Sequence, residues 1–362
     1  MVRTLTARDV EFAVKGGSVF ACGGGGWAWH GRELGTLAVT IGRPEIVTMD
    51  EVPDDVWIAT AAAIGAPGGL TDWEMLGVDY LKAVELLQDA LGEPLYGLII
   101  GQNGMSSTVN AWLPAAVLGT KVIDAVGDLR AHPTGDMGSL GLASSLEPTI
   151  QTAAGGNRAN SQYIELTVRG ATGKISPILR RAADQAGGFI ASCRNPVRAK
   201  YVREHAALGG ISIALALGEA ITAAEEHGGA AVVEAICAAT RGHILGRGTV
   251  RANSLRYTSE AFDVGTIEIG GANGPLTLHV MNEYMAVDAV AGRVATYPDV
   301  ITTLDPAGSP VSAGSVREGM DVLVFHIPHD RIPLPSTAHD ATVYAPAERA
   351  LGIDLVRYAP TH

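Results

Sequence analysis

The chain has 362 residues, 47% of them hydrophobic and 18% charged, with a formal net charge of −12. That charge disfavours binding to nucleic acid or to anionic membranes, and no basic run or aromatic ladder offsets it. The N-terminus lacks an apolar leader core, no apolar run reaches the ~18–20 residues that span a bilayer, and Cys22, Cys193 and Cys237 are too dispersed for a disulfide framework, so a cytoplasmic protein is expected.

The length exceeds one typical small domain, and two are expected, over residues 1–160 and 161–362. Thr6 reads as a helix N-cap with Asp9 in the first turn, and apolar spacing predicts a helix to about Phe20. It meets the tetraglycine Gly23–Gly26, then Trp27, Trp29 and a second helical stretch around Arg32–Val39. Val56–Ile64 is a buried-strand candidate ending in the turn Gly65–Gly69. Trp73–Leu91 has helical periodicity, Leu95–Ile100 is a second strand, Asn110–Leu118 a short helix stopped by Gly119, and Lys121–Ile123 a third strand. This alternation gives βαβ units and a mostly parallel α/β sheet. Right-handed crossovers then bring the loops Gly65–Gly69, Gly101–Ser107 and Asp124–Asp136 to one crevice.

From about Asn157 the pattern changes. Tyr163–Val168 reads as a strand, Ile178–Ala186 as a short helix, and Arg203–Glu226 and Ala230–Thr240 as Ala-rich helices. Beyond Gly246 short strands and tight turns dominate. Thr266–Ile269 and Leu276–Val280 flank Gly270–Gly274 in a hairpin signal, and Val300–Leu304 and Val322–Phe325 are further strands. The second domain is therefore expected to be α+β and rich in β-hairpins.

The densest chemistry lies at Asp124, Asp128, Arg130, His132 and Asp136, where a strand empties into acids, an arginine and a histidine. A carboxylate and an imidazole position water and move protons in hydrolysis. Asp124, Asp128 and His132 are also candidate ligands for a divalent metal. Arg130 is a candidate clamp for a substrate carboxylate. Gln102, Asn103, Ser106, Ser107, Thr108 and Asn110 form a neutral polar run suited to amide edges, with helix capping the competing role for Ser106–Thr108. Gly24, Gly25 and Gly26 offer backbone amides to an anion or carbonyl oxygen, without the spacing of a Walker loop or a dinucleotide fingerprint. Cys193 sits beside Arg194 and Asn195 as a lesser nucleophile candidate, and Asn282 and Glu283 form an acid–amide pair after the hairpin.

With these residues on view, the chain resembles the S-methyl thiohydantoin desulfurase family, which is hydantoinase/oxoprolinase-like. The resemblance spans nearly the full length. It is carried by Cys22–Gly26, Ile64–Pro67, Asn110–Pro114, Val122–Pro133, Asn282 with Glu283, and Tyr297–Ile301, followed by the Gly308–Gly319 region. It implies an N-terminal α/β domain, a swivelling-type C-terminal domain, and chemistry on five-membered cyclic amides and their sulfur analogues. The chain departs from the family pattern at Met105–Thr108, where members carry an acid and a Gly pair, and at Val126, where they carry a second acid. It also has Asp128 and His132 in place of Met and an aromatic residue, and Trp27 after the glycines. Trp27 and Trp29 are candidates for an apolar wall beside the ring.

These readings lead to a hydrolase that directs water at an sp2 carbon of a cyclic amide, hydantoin or S-methyl thiohydantoin-like ring. Asp124 would serve as base or metal ligand, with Asp128 beside it, His132 as proton shuttle and Arg130 on a carboxylate or developing oxyanion. An isomerase or cyclase acting on a similar ring is the alternative, as is a non-catalytic ligand-binding subunit of a hydantoinase-type assembly. The expected partner is a small cyclic amide, and a homo-oligomer is the base-rate expectation.

Overall fold

In the computed structural model, which describes residues 2–69, 72–272 and 274–360, the chain opens with β1 (Val2–Thr4) and α1 (Ala7–Phe20). The Asp9 amide donates to Thr6 Oγ1 and the Thr6 amide to Asp9 Oδ2, so the predicted cap is a reciprocal capping box. There follow α2 (Ala28–Ile41), β2 (Glu45–Val47), β3 (Trp57–Gly65), α3 (Gly77–Leu91), β4 (Gly97–Gln102), α4 (Trp112–Leu118) and β5 (Lys121–Asp128). Helix α3 starts at Gly77 rather than Trp73, because Leu76 is extended and its amide donates to Asp79 Oδ2. Trp73, outside the helix, stacks on Trp27 with ring centroids 4.8 Å apart. Strand β5 continues past Ile123 to Asp128, which places Asp124 inside the strand rather than in the loop after it.

Next come β6 (Thr149–Gly155), β7 (Ile164–Gly170), α5 (Thr172–Gln185), β8 (Phe189–Arg198), α6 (Ala199–His205) and β9 (Ala207–Leu208). The first sheet has the order β1-β2-β5-β4-β3-β8-β6-β7, with β9 beside β5. Strands β2, β5, β4 and β3 run parallel, as the βαβ spacing predicts. Antiparallel strands flank them, so the sheet takes strands from both sides of residue 160. The helix predicted over Arg203–Glu226 is interrupted. Strand β9 pairs with Ala125 and Val126, and α7 (Gly210–Ala224) restarts after Gly209.

Helix α8 (Gly229–Thr240) leads into the second sheet. Its strands are β10 (His243–Asn253), β11 (Arg256–Tyr257), β12 (Asp263–Gly271), β13 (Gly274–Met281), β14 (Glu283–Ala289), β15 (Gly292–Thr296), β16 (Val300–Leu304), β17 (Pro310–Val311) and β18 (Asp321–Ile327). They form a curled, all-antiparallel sheet in the order β15-β14-β13-β12-β10-β18-β16-β17, with β11 beside β12. The predicted hairpin is β12–β13, paired from Val264 with Met281 to Gly271 with Gly274. Asn273, in the predicted turn, lies outside the described residues. Helix α9 (Ala345–Leu351) closes the chain.

One core lies between the first sheet and α1–α4, and includes Trp112, Tyr80, Leu87 and Leu98. A second joins the end of α1 (Val19, Phe20) and helices α7 and α8 (Leu217, Ile221, Ile236) to Val300 and Phe325 of the second sheet. Full burial of each such side chain stabilises by ~1.5–3 kcal/mol. Helix α1 therefore packs against both sheets, and its C-terminal end delivers the glycine loop to the seam between them.

Candidate active site

At that seam lies a cavity of about 150 Å3. The first sheet supplies the carboxyl ends of its parallel strands: Ala63–Gly65 of β3, Gln102 of β4, and His132–Gly135 after β5. This is where open α/β sheets place ligands. Gly23–Gly26 and Trp27 line another side, with Arg180 of α5 and Phe189 and Arg194 of β8. The second sheet closes the cavity with Asn282, Glu283 and the segment around Ser312–Ser315. The loops predicted to share a crevice do so through Gly65, Gln102, Ser107 and His132.

The glycine loop is threaded between the two sheets. A side chain on Gly24 would begin 2.1 Å from Glu283 Oε1, and one on Gly26 would begin 1.9 Å from Ser106 Oγ. Packing and exposure of backbone are therefore the same feature. The carbonyls of Cys22, Gly23 and Gly25 accept from the amides of Tyr284, Ala313 and Ser106, which fixes the loop. The amides of Gly25 and Gly26 have no acceptor among the described residues.

Glu283 is 4% exposed, and its Oε2 has no hydrogen-bond partner among the described residues. Burial pushes its carboxyl up to about 8, against the pull of Arg130 and Arg180, so it is mostly protonated at neutral pH. Arg194 is buried, yet its Nε lacks a partner and no hydrogen bond or ion pair holds its guanidinium among the described residues. A bulge in the β3–β8 pairing at Asn195, whose φ is 54°, sits beside it. Gln151 Nε2 donates to Asn195 Oδ1 at 3.0 Å and steadies the bulge. Arg180 donates to the carbonyls of Pro133 and Ala261 and lies over the Phe262 ring; burial lowers it to about 10.

His132 donates its amide to Gln102 Oε1 at 3.0 Å, which orients the Gln102 side chain. Burial, reinforced by Arg194, lowers its imidazole to about 3, so the ring is neutral. Trp27 stacks on Trp73 and meets Phe189 edge-on at 4.9 Å, forming an apolar wall. Trp29 is 55% exposed and does not line the cavity.

The other residues singled out in the sequence are held elsewhere. Asp124 Oδ1 accepts from the amides of Ile211 and Ser212, capping α7. Asp128 accepts from the Tyr297 hydroxyl at 2.9 Å and from the Arg130 amide, and burial raises it to about 7. Arg130 is fully buried and donates to the carbonyls of Ala131, Asp299 and Tyr284, tying β5 to the second sheet. Asn103 bridges the carbonyls of Leu129 and Gly210, while buried Ser106 and Asn110 lie behind the cavity lining. Among the described residues no group of three or more His, Cys, Asp or Glu side chains is placed to hold a metal. Asp124 and Asp128 point to different partners, and neither lines the cavity with His132. Cys193 is fully buried and its thiol is pushed up to about 12, so it remains protonated.

Arg180 and Arg194 were not singled out by the sequence. The available signal for Arg194 was the run Cys193–Pro196, a charge followed by an amide within an otherwise apolar stretch.

Comparison with known proteins bears on the whole chain. No curated protein matches the sequence. A crystal structure of a protein from Chromobacterium violaceum is similar with a TM-score of 0.74 at 21% identity, covering 97% of this chain and 96% of that one. At that identity the likeness extends to the fold alone. Among the described residues no helix is long and apolar enough to cross a membrane. Residues 8–162 match the family described as S-Me-THD-like, N-terminal domain, and residues 172–355 match S-Me-THD-like, C-terminal domain. The chain belongs to the S-Me-THD-like family.

Proposed function

We propose that the protein is a hydrolase of a five-membered cyclic amide or S-methyl thiohydantoin-like ring, with Glu283 as its proton-transfer group. The observation that carries this reading is the buried, mostly protonated Glu283 carboxyl, with one oxygen unpartnered, in a cavity shared with the unpaired Arg194. A carboxylic acid held neutral by burial is suited to give a proton and take one back within a cycle. Family membership supports an enzymatic role.

In the thiohydantoin-like case, protonation of the ring nitrogen by Glu283 makes the adjacent sp2 carbon electrophilic. Water adds there as the Glu283 carboxylate takes one of its protons, and the resulting tetrahedral carbon carries hydroxyl, nitrogen and methylthio groups. The re-formed Glu283 acid gives that proton to the departing sulfur as the C–S bond breaks, and its carboxylate takes the hydroxyl proton, which restores the acid. The products are the ring carbonyl, a ring N–H and methanethiol, so both protons of the water are accounted for. With a simple cyclic amide the same cycle cleaves the C–N bond. Arg194 supplies positive charge where oxygen becomes anionic or where the substrate carries a carboxylate. Gln102, Ser107 and the Gly25 and Gly26 amides offer neutral hydrogen bonds to the ring edges. Trp27 and Phe189 pack on its face.

The test is mass-spectrometric turnover of a panel of hydantoins, thiohydantoins, S-methyl thiohydantoins, imides and lactams, each with and without chelator. Gain of water or loss of methanethiol by the wild type, abolished in Glu283→Gln, supports the reading. Unchanged mass across the panel, or wild-type rates in Glu283→Gln, refutes it. Loss of activity with chelator would add a metal that the proposed cycle does not contain.

A further inference from the structure

The ionisable side chains that line the catalytic cavity are His132, Arg180, Arg194 and Glu283. At neutral pH the His132 ring is neutral and the Glu283 carboxyl mostly protonated, whereas the two guanidinium groups keep their protons. The lining is therefore positive. Arg180 gives its donors to the carbonyls of Pro133 and Ala261. Arg194 makes no hydrogen bond or ion pair among the described residues, and its Nε is buried without a partner. The fold nevertheless makes room for its head. A Cβ added at Gly135 would lie 2.6 Å from its Nη1, and one added at Gly101 of β4 would lie 3.4 Å from its Nη2. Thr134, beside Gly135 in the chain, lines the same cavity, and its Oγ1 is also buried without a partner among the described residues. Asp136, the acid whose charge acts on Arg194, does not line the cavity; burial raises its carboxyl, and it offsets the guanidinium only in part. Buried donors are seldom left unpaired, so two of them at one end of a positive cavity mark a place for an anion.

We infer that the substrate ring carries a carboxylate on a short arm, and that Arg194, with the Thr134 hydroxyl, selects it. This deepens the ring-hydrolase reading above and rests on it. Position favours a substrate carboxylate over the developing oxyanion as the partner of Arg194. Glu283 begins β14 in the second sheet, whereas Arg194 lies in β8 of the first. Arg180 feels the charges of both, while Glu283 responds to Arg130 and Arg180, and Arg194 to Asp136. Arg180 therefore stands between them, and Arg194 meets the end of the ligand away from the reacting carbon. A planar guanidinium pairs with a carboxylate through two parallel N–H···O bonds, and the anion supplies the charge that the lining lacks. The cavity, at about 150 Å3, is smaller than the ~300–1,000 Å3 typical of small-molecule sites, so the arm is short.

The test compares hydantoin-5-acetate with its primary amide, which match in shape and differ by one charge. Affinity is read by calorimetry at neutral pH and, where the ring is opened, kcat and KM are read separately. The wild type is expected to favour the acid by ~10²-fold. In Arg194→Met that ratio should fall to near one, with the loss in affinity and KM. Arg194→Lys keeps the charge without the paired donors and should retain part of the ratio. The wild-type ratio needs no variant and tests the substrate class by itself. A wild type that binds the amide as well as the acid overturns the carboxylate and leaves the ring reading standing, because the ring is still bound. A ratio that survives in Arg194→Met overturns the selecting role of Arg194, and an equal fall in kcat for both ligands then assigns it to the oxyanion. Failure of both ligands to bind the wild type overturns both readings.

Discussion

Glu283→Gln is expected to abolish turnover and yet stabilise the protein, by an amount that grows with pH. The carboxyl is fully buried, and its pKa rises from an ordinary 4.5 to about 8 on folding. Below pH 4.5 it is protonated in both states and costs nothing. Between those values the unfolded chain ionises freely while the folded chain must hold the proton. Stability present at low pH is therefore lost as pH rises toward the folded value. Each pH step of one across that window removes ~1.4 kcal/mol, so the cost is ~1 kcal/mol at pH 5, ~3 at pH 7 and ~5 at pH 9. Glutamine keeps the shape beside Gly24 and removes the ionisation. Urea unfolding of wild type and variant at these pH values reads the difference directly. A gap independent of pH, or a variant less stable than wild type throughout, would refute the claim that Glu283 is held neutral by burial. The same titration predicts that kcat/KM for ring protonation falls above about pH 8 in the wild type.

Other substitutions test the remaining placements. Asp124→Asn keeps an oxygen for the Ile211 and Ser212 amides, and is expected to retain activity. Asp124→Ala leaves both amides unpaired and should cost ~2–3 kcal/mol in urea unfolding. Loss of turnover in a well-folded Asp124→Asn would return that residue to the mechanism. His132 is neutral in the fold down to about pH 3, against an ordinary 6.5. The unfolded chain gains a proton first as pH falls, so stability is lost between those values, by ~3–5 kcal/mol in all. His132→Gln should flatten that acid limb, and an unchanged limb would contradict the depressed value.

Strands β3, β4 and β5 were legible because each is an apolar run bounded by glycine, and the helices between them keep strict periodicity. Strands β6 and β8 were not. They bury Gln151, Thr152, Ser192 and Arg194 in mid-strand, and polar residues there erase the apolar signature. Most of those side chains are tolerated because their neighbours satisfy them. Thr152 donates to the carbonyls of Ala83 and Cys193, and Gln151 joins Ser176 and Asn195. Such long-range pairing is invisible to local pattern. The break in the Arg203–Glu226 helix has the same origin, since it depends on β9 finding β5.

The charge-rich segment after β5 raises a different issue, because charge density alone does not separate a site from a joint. Arg130 and Arg194 are both buried cations, and what distinguishes them is satisfaction. Arg130 gives its donors to three carbonyls, two of them in the second sheet and its turns, so its charge is consumed in holding the sheets together. Among the described residues Arg194 has no such bonds, and it faces a cavity. Removing Arg130 would strand three buried carbonyl oxygens, whereas removing Arg194 would break no hydrogen bond and would relieve a buried charge that Asp136 offsets only in part. Arg130→Met should therefore destabilise by ~3–5 kcal/mol, and any further loss of activity in the folded fraction comes from the Glu283 carboxyl, which loses the pull of the Arg130 charge and holds its proton more tightly. Arg194→Met should leave unfolding unchanged or delayed, while kcat/KM falls ~10²–10³-fold. Urea unfolding and turnover on the same two variants decide it. If Arg194→Met unfolds early and Arg130→Met is the stable, inactive one, then hydrogen-bond satisfaction is not what separates joint from site here, and Arg130 takes the anion-binding role.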